Sequence, residues 1–357
     1  MRRRSHTIMV GDVPVGGGHP VVIQSMTNTD PRDPAKTLAQ IGELVAAGCE
    51  IVRVAVPDKQ AVEALRTLRQ QTDVPLVADI HFDHRLALAA MQAGADGLRI
   101  NPGNIGGKKA LASVVQEARR QKVPIRIGVN SGSLEEHLRA EYGGPTPEAL
   151  VQSALEHVLF LESLSFLDMK VSVKSTDVSR MVEANRMLAE KIPYPLHIGV
   201  TEAGPGEDAL VKSAVGLGAL LVLGIGDTLR VSLTGDPVRE IRAAKSILQA
   251  AGVRRFGPDL ISCPTCGRTG IDVVGLSRQV EEILVDVTRP LRVAVMGCVV
   301  NGPGEAREAD LGIAGGPASG VIFARGEILR RVPADQLLDA FREDLEKLLN
   351  QLDEEDQ

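Results

Sequence analysis

Three of the four cysteines have the types and spacing of a ligand set. Cys263-Pro264-Thr265-Cys266 is a C-x-x-C pair, and Cys298 follows an apolar run over 291–296. Three thiolates can hold zinc, an iron–sulfur cluster, or a redox disulfide with one thiol left over. Structural zinc prefers a fourth Cys or His, and no His follows His197. A thioredoxin-like pair has no need of Cys298. Iron–sulfur clusters take thiolates, usually four. With three, an oxygen must complete the site, and Glu305 in the turn Gly302-Pro303-Gly304-Glu305 is the candidate. The spacing therefore leaves a [4Fe–4S] cluster and zinc both open. Cys49 stands alone and reads as a buried structural thiol.

A second set of residues repeats along the first 250 positions. In Ile125-Arg126-Ile127-Gly128-Val129-Asn130, the apolar residues alternate with polar ones. Met169-Lys170-Val171-Ser172-Val173-Lys174 and Leu229-Arg230-Val231-Ser232-Leu233-Thr234 do the same. Strand side chains alternate with period two, so each run has one polar face. Those faces carry Arg53, Arg99, Arg126, Lys170, Lys174 and Arg230, with Asp79, His81, Asn101, Asn130, Ser172, His197 and Ser232. Buried unpaired charge is expensive. An internal ion-pair network with Asp79 and Glu202 is one reading. The excess of cations favours a bound polyanion such as a diphosphate. Gly-rich loops at 101–107 and 201–206 leave two of these runs and suit phosphate at helix N-termini.

Such faces need a scaffold. β-like runs at 22–28, 51–57, 76–82, 97–101, 125–130, 169–174, 196–201 and 229–234 alternate with helical stretches. The latter include 34–47, 59–71, 108–121, 178–191, 209–216 and 237–250. This beat predicts an α/β fold, a (β/α)8 TIM-type barrel over residues 1–253, with a doubly wound sheet as the competitor. Residues 255–259 read as a linker. A small α+β domain over 254–357 then has a helix near 276–287, strands at 291–296, 311–314 and 321–324, and a final helix at 334–349.

With these blocks in view, the sequence resembles the bacterial 4-hydroxy-3-methylbut-2-enyl diphosphate synthases of the methylerythritol phosphate route to isoprenoids. The resemblance covers nearly the whole chain. It rests on Val22-Ile23-Gln24-Ser25-Met26-Thr27-Asn28-Thr29, Ala78-Asp79-Ile80-His81-Phe82, the segment from Leu98 to Gly106, Cys263-Pro264-Thr265-Cys266-Gly267-Arg268-Thr269, and the segment from Met296 to Glu305. It implies a barrel followed by a domain similar to sulfite and nitrite reductase modules, with one [4Fe–4S] cluster on Cys263, Cys266, Cys298 and Glu305. It implies reductive opening of 2-C-methyl-D-erythritol 2,4-cyclodiphosphate, with electrons from flavodoxin or ferredoxin. Arg53, Arg99, Arg126, Lys170 and Arg230, with Asn130 and Ser232, would clamp the diphosphate; Asn101, Ser172 and His197 are further candidate contacts. Glu202 is the candidate proton donor, oriented with the substrate by Asp79 and His81. A head-to-tail homodimer, with the cluster of one chain facing the barrel of the other, would bring Asn301 to the partner's pocket.

Composition bounds the alternatives. With 40 basic and 46 acidic residues the net charge is -6, which argues against a broad grip on nucleic-acid phosphates. Aromatic residues are only 2%, too few for a base-stacking surface. No run approaches the ~20 apolar residues of a membrane helix. The basic start lacks the apolar stretch of a signal peptide, so a cytoplasmic enzyme is expected. A sirohaem reductase relative, a pterin-type barrel synthase with a zinc-stabilised tail, and a non-catalytic anion-binding protein are the rival readings.

Overall fold

The computed structural model describes residues 2–298, 304 and 306–355. Asn301 and Glu305 lie outside the described residues. The chain divides into two compact units, Met1–Arg254 and Arg255–Gln357. Arg254 belongs to the first by its contacts, donating from Nη1 to the Val21 carbonyl (2.6 Å) and to Glu50 Oε2 (2.8 Å).

The first unit opens with a hairpin, β1 (Thr7–Val10) and β2 (Val13–Gly16). Eight parallel strands follow: β3 (Val22–Met26), β4 (Ile51–Ala55), β5 (Leu76–Ile80), β6 (Gly97–Ile100), β7 (Ile125–Asn130), β8 (Met169–Lys174), β9 (His197–Ile198) and β10 (Thr228–Leu229). β10 pairs with both β3 and β9, and a parallel bridge between Val171 and Leu196 joins β8 to β9. The ring is thus a (β/α)8 barrel, and the open doubly wound sheet is excluded. The hairpin was not expected. It packs Ile8, Val10 and Val15 against Val22, Ile51 and Val77, closing the end of the barrel where the strands begin.

Helices α1 (Pro34–Ala47), α2 (Lys59–Gln71), α3 (His84–Gln92), α4 (Gly107–Gln121), α5 (Glu136–Glu141), α6 (Pro147–Ser163), α7 (Val178–Lys191), α8 (Gly206–Val222) and α9 (Pro237–Ala250) lie between or after the strands. Aspartates cap α1, α2, α3, α7 and α9. Asp33, Asp58, Asp83, Asp177 and Asp236 each accept a backbone N–H from the first turn, worth about 1 kcal/mol apiece. These caps fix where each loop at the strands' C-terminal ends stops. α8 is longer than the 209–216 expected. At Gly216 an added Cβ would lie 2.8 Å from both Met181 Cε and Val200 Cγ2. The glycine allows close packing within the helix and does not end it.

β9 and β10 are shorter than expected, two residues each. Beyond them the backbones crowd: a Cβ on Gly199 would meet the Arg230 carbonyl at 2.6 Å. Just past the regular ladder, the Arg230 amide still donates to the Ile198 carbonyl at 3.0 Å.

The second unit holds a mixed sheet in the order β11 (Asp259–Ser262), β12 (Arg292–Met296), β13 (Leu311–Gly315), β14 (Ser319–Ala324) and β15 (Glu327–Pro333). β11, β12 and β13 are parallel, and β13, β14 and β15 antiparallel. α10 (Val273–Leu284) and α11 (Leu337–Glu355) cover one face, sharing a core of Val280, Val293, Ile313, Ile322 and Phe341. Two strands were missed. β11 takes in the end of the expected linker, and its residues are mostly exposed, so no burial alternation betrays it. β15 is an exposed edge rich in arginine. Among the described residues no helix is long and apolar enough to cross a membrane.

Phe341 is fully buried in the second unit. Phe341→Ala is expected to cost about 3–5 kcal/mol there. Calorimetry should show an early transition for residues 255–357 and an unshifted barrel transition; one unshifted transition would contradict this core.

Candidate active site

Strand register places the polar side chains next to one another. Asp79 lies beside Arg99, Arg99 beside Arg126 and Arg126 beside Lys170, while Asn130 pairs with Lys174 nearer the strands' C-terminal ends. The apolar partners on the same strands face the helices. Arg126 and Lys170 are each only 2% exposed, and Lys174 and Arg99 are also buried. Glycine makes room for two of these cations. A Cβ on Gly128 would lie 2.9 Å from Arg99 Nε, and one on Gly199 would lie 2.7 Å from Lys174 Nζ.

Two carboxylates balance part of this charge. Asp79 accepts from Arg99 Nη1 (3.1 Å) and lies 3.7 Å from Arg53 Nε and 3.4 Å from His81 Nε2. Burial alone would raise its pKa, but Arg53, His81 and Arg99 together hold it well below the usual carboxylate range. The second carboxylate was missed in the sequence. Glu240 of α9 is buried and accepts from Ser25 Oγ (2.9 Å), from Arg230 Nε and Nη2 (3.2 Å each) and from the Leu233 amide (3.1 Å). Its signal was a carboxylate on the inward stripe of a helix, next to Ile241. Met26 was also missed: its sulfur accepts from Arg53 at 2.9 Å and lies 3.8 Å from Arg230 Nη1.

Glu202 takes no part in this network, contrary to the internal ion-pair reading. It is exposed, beyond β9, at φ 52°. A non-glycine residue held in the left-handed region is strained, and such strain concentrates at functional sites. Asn101 and Ser172 have hydrogen-bond partners within the protein. Asn101 donates to Ser133 Oγ and accepts from the Gly103 amide, which builds the loop after β6. Ser172 donates to the Ile127 carbonyl and so belongs to the barrel wall. His197 is buried, with Nδ1 2.6 Å from Thr228 Oγ1. Asn130 and Ser232 are half-buried near the ends of their strands.

What remains is uncompensated. Among the described residues, Arg126 Nε and Nη1, Lys170 Nζ, Arg99 Nε and His197 Nε2 are buried without a hydrogen-bond partner. Burial and the neighbouring Arg126 push Lys170 down to about 7. Burial, then Arg126, Arg53, Arg230 and Arg99, push Lys174 well below the usual lysine range. A low-dielectric chamber lined with unpaired donors is built to receive an anion.

The thiols of the second unit sit where two parallel strands end. Cys263 follows β11 and Cys298 follows β12. Cys263 Sγ accepts from the Gly297 amide at 3.1 Å. The Thr269 amide donates to the Cys266 carbonyl and the Gly270 amide to the Gly297 carbonyl, folding the C-x-x-C loop toward Cys298. Cys266 is exposed, and hydrogen bonds from the Arg268 backbone and side chain lower its pKa, favouring thiolate. All three cysteines are free. This chemistry fits a thiolate-bound metal group. Among the described residues, no group of three or more Cys, His, Asp and Glu is placed to hold a metal ion.

A parallel barrel with a cationic, anion-receptive interior, joined to a cysteine-bearing α+β unit, defines a two-unit class of protein. Residues 5–245 match the GcpE TIM-barrel domain and 259–347 the GcpE protein C-terminal domain. The chain belongs to the GcpE family. Its relatives include the 4-hydroxy-3-methylbut-2-en-1-yl diphosphate synthase (flavodoxin) of Maridesulfovibrio salexigens, 56% identical over 98% of both chains. The enzyme of the same name from Geobacter sulfurreducens is 56% identical over 98% of this chain and 99% of its own. Among solved structures, the dihydropteroate synthase of Stenotrophomonas maltophilia aligns with 70% of this chain and 98% of its own. Its TM-score is 0.50 at 15% identity, a likeness of fold alone.

Two substitutions should move stability in opposite directions. Glu240→Leu leaves the half-buried Arg230, Ser25 Oγ and the Leu233 amide without their acceptor and should cost about 1–3 kcal/mol. Lys170→Met removes a buried unpaired amine and should stabilise the ligand-free protein by about 1–3 kcal/mol. Urea unfolding checks both; a destabilised Lys170→Met would mean that Lys170 has an internal partner.

Proposed function

We propose that this chain catalyses the two-electron reductive opening of 2-C-methyl-D-erythritol 2,4-cyclodiphosphate, with loss of water, to (E)-4-hydroxy-3-methylbut-2-enyl diphosphate. The observation that carries the reading is the buried set Arg126, Lys170 and Lys174, none of which makes an ion pair with a carboxylate among the described residues, and of which Arg126 and Lys170 have polar atoms without a hydrogen-bond partner. A 56% identity to named synthases says which polyanion to test. The barrel unit, expected over residues 1–253, binds substrate. The unit over 254–357 holds the redox group. Flavodoxin, named with the relatives, or ferredoxin delivers the electrons, and the enzyme works in the cytoplasm.

Cys263, Cys266 and Cys298, with Glu305 as an oxygen ligand, would hold one [4Fe–4S] cluster. When bound, that group supplies electrons one at a time and an iron with Lewis acidity. The chain's own residues do the rest. Arg53, Arg99, Arg126, Lys170 and Arg230 clamp the diphosphate, with Asn130, Ser232 and His197 as hydrogen-bonding neighbours. As the ring C–O bond breaks, the released phosphate oxygen gains charge, and these fixed cations stabilise it without reorganising. Glu202 gives a proton to the hydroxyl that leaves as water. Asp79, held ionised by its cations, cannot donate; it orients the His81 imidazole.

The homodimer belongs to the same reading. α8 exposes Leu210, Val211, Val215 and Val222, an apolar stripe suited to a second copy. Head-to-tail pairing would set the cluster of one chain, with Asn301, against the partner's barrel.

Anaerobically purified protein is expected to be brown, with about four irons per chain; a colourless protein with one zinc would sink the cluster. Arg126→Ala should weaken cyclodiphosphate binding at least ~tenfold by calorimetry. Glu202→Gln should lower kcat by about 10²–10⁴ with little change in substrate affinity; wild-type turnover would remove it as proton donor. Glu305→Ala should lose iron or turnover while circular dichroism stays unchanged.

A further inference from the structure

We propose that Lys170 and Lys174 are neutral amines in the ligand-free barrel and take up protons as the diphosphate enters, so that the site selects ligands by their charge. The inference rests on the diphosphate reading of the barrel.

The geometry leaves little choice. Lys170 faces Arg126 on β7 and His197 on β9, with Arg99 one strand further. Lys174 lies within electrostatic reach of Arg126, Arg53, Arg230, Arg99 and His197, and a Cβ added on Gly199 would lie 2.7 Å from its Nζ. The acids nearby are already engaged. Asp79 serves Arg53, Arg99 and His81, and Glu240 serves Arg230, Ser25 and the Leu233 amide. A buried chamber with this surplus cannot keep every group charged. Guanidinium does not release its proton in proteins, whereas a buried lysine does so readily. The relief therefore falls on the two lysines, in agreement with the downward pull that burial exerts on both.

An entering anion reverses the balance. Its negative charge favours both ammonium groups, and the protons come from solvent. A ligand with several charges can recharge both amines, whereas a ligand with one charge cannot. The sign follows: between the free and the bound pKa, binding requires a proton, so affinity falls as pH rises above about 7. In the same range the ligand-free fold gains stability with pH, because the unfolded lysines still hold protons that the folded ones lack.

The test is calorimetry of the anaerobic holoenzyme with the cyclodiphosphate at pH 8, in buffers of different ionisation enthalpy. Uptake of about one to two protons per site is expected, and Lys170→Met and Lys174→Met should each lower it by about one. Tight binding with no uptake, or an uptake that both variants leave unchanged, overturns the inference while the substrate assignment stands. Inorganic diphosphate serves as the second probe. Proton uptake with it and no binding of the cyclodiphosphate overturns the substrate assignment and leaves the lysines' role standing. No binding of either overturns both. In wild-type protein carrying 13C-labelled lysine, two Cε resonances should move from the amine to the ammonium position on binding; two ammonium resonances throughout also overturn the inference.

Discussion

The structure depends on one imbalance. Arg53, Arg99, Arg126, Lys170, Lys174 and Arg230 line one barrel interior, and Asp79 and Glu240 are the carboxylates within their reach. Barrel interiors are usually filled with branched apolar side chains. Here the apolar faces pack outward on the helices, and the hairpin β1–β2 closes the end where the strands begin. Gly128 and Gly199 keep the interior open at the points where side chains would collide with Arg99 and Lys174. The fold tolerates the charge because the surrounding helices and sheet are well packed.

Both units follow the same rule. In the barrel, Asn130, Lys174, Glu202 and Ser232 lie at or beyond the C-terminal ends of parallel strands. In the second unit, Cys263 and Cys298 follow the C-terminal ends of the parallel pair β11 and β12. Parallel strands deliver their outgoing loops to one edge, which gathers residues distant in sequence without long loops. The C-x-x-C segment could bring only its own two thiols together. The register of β11 on β12 places Cys298 at the same edge.

Much of the site was legible from alternation. Arg126 and Lys170 lie on the polar faces of regular strands, and both are buried in the barrel as expected. Glu240 was not legible in that way, because it reaches the chamber from a helix whose other inward residues are apolar. Asn101 and Ser172 share inward faces, yet their hydrogen bonds tie them to the loop after β6 and to the wall of β7. Face assignment says which way a side chain points. It does not say whether a neighbour has already taken its hydrogen-bonding capacity.

The sequence by itself determined the strand–helix beat, the cationic strand faces and the grouping of three cysteines in a second unit. Those features are local: period-two alternation, aspartate caps and C-x-x-C spacing need only neighbouring residues. Only the tertiary structure decided which cations stay unpaired. Pairing depends on barrel closure, on the register that sets Arg126 beside Lys170, and on where Glu240 and Asp79 reach. Electrostatic balance in a low-dielectric interior is a property of the whole enclosure, and no single segment carries it.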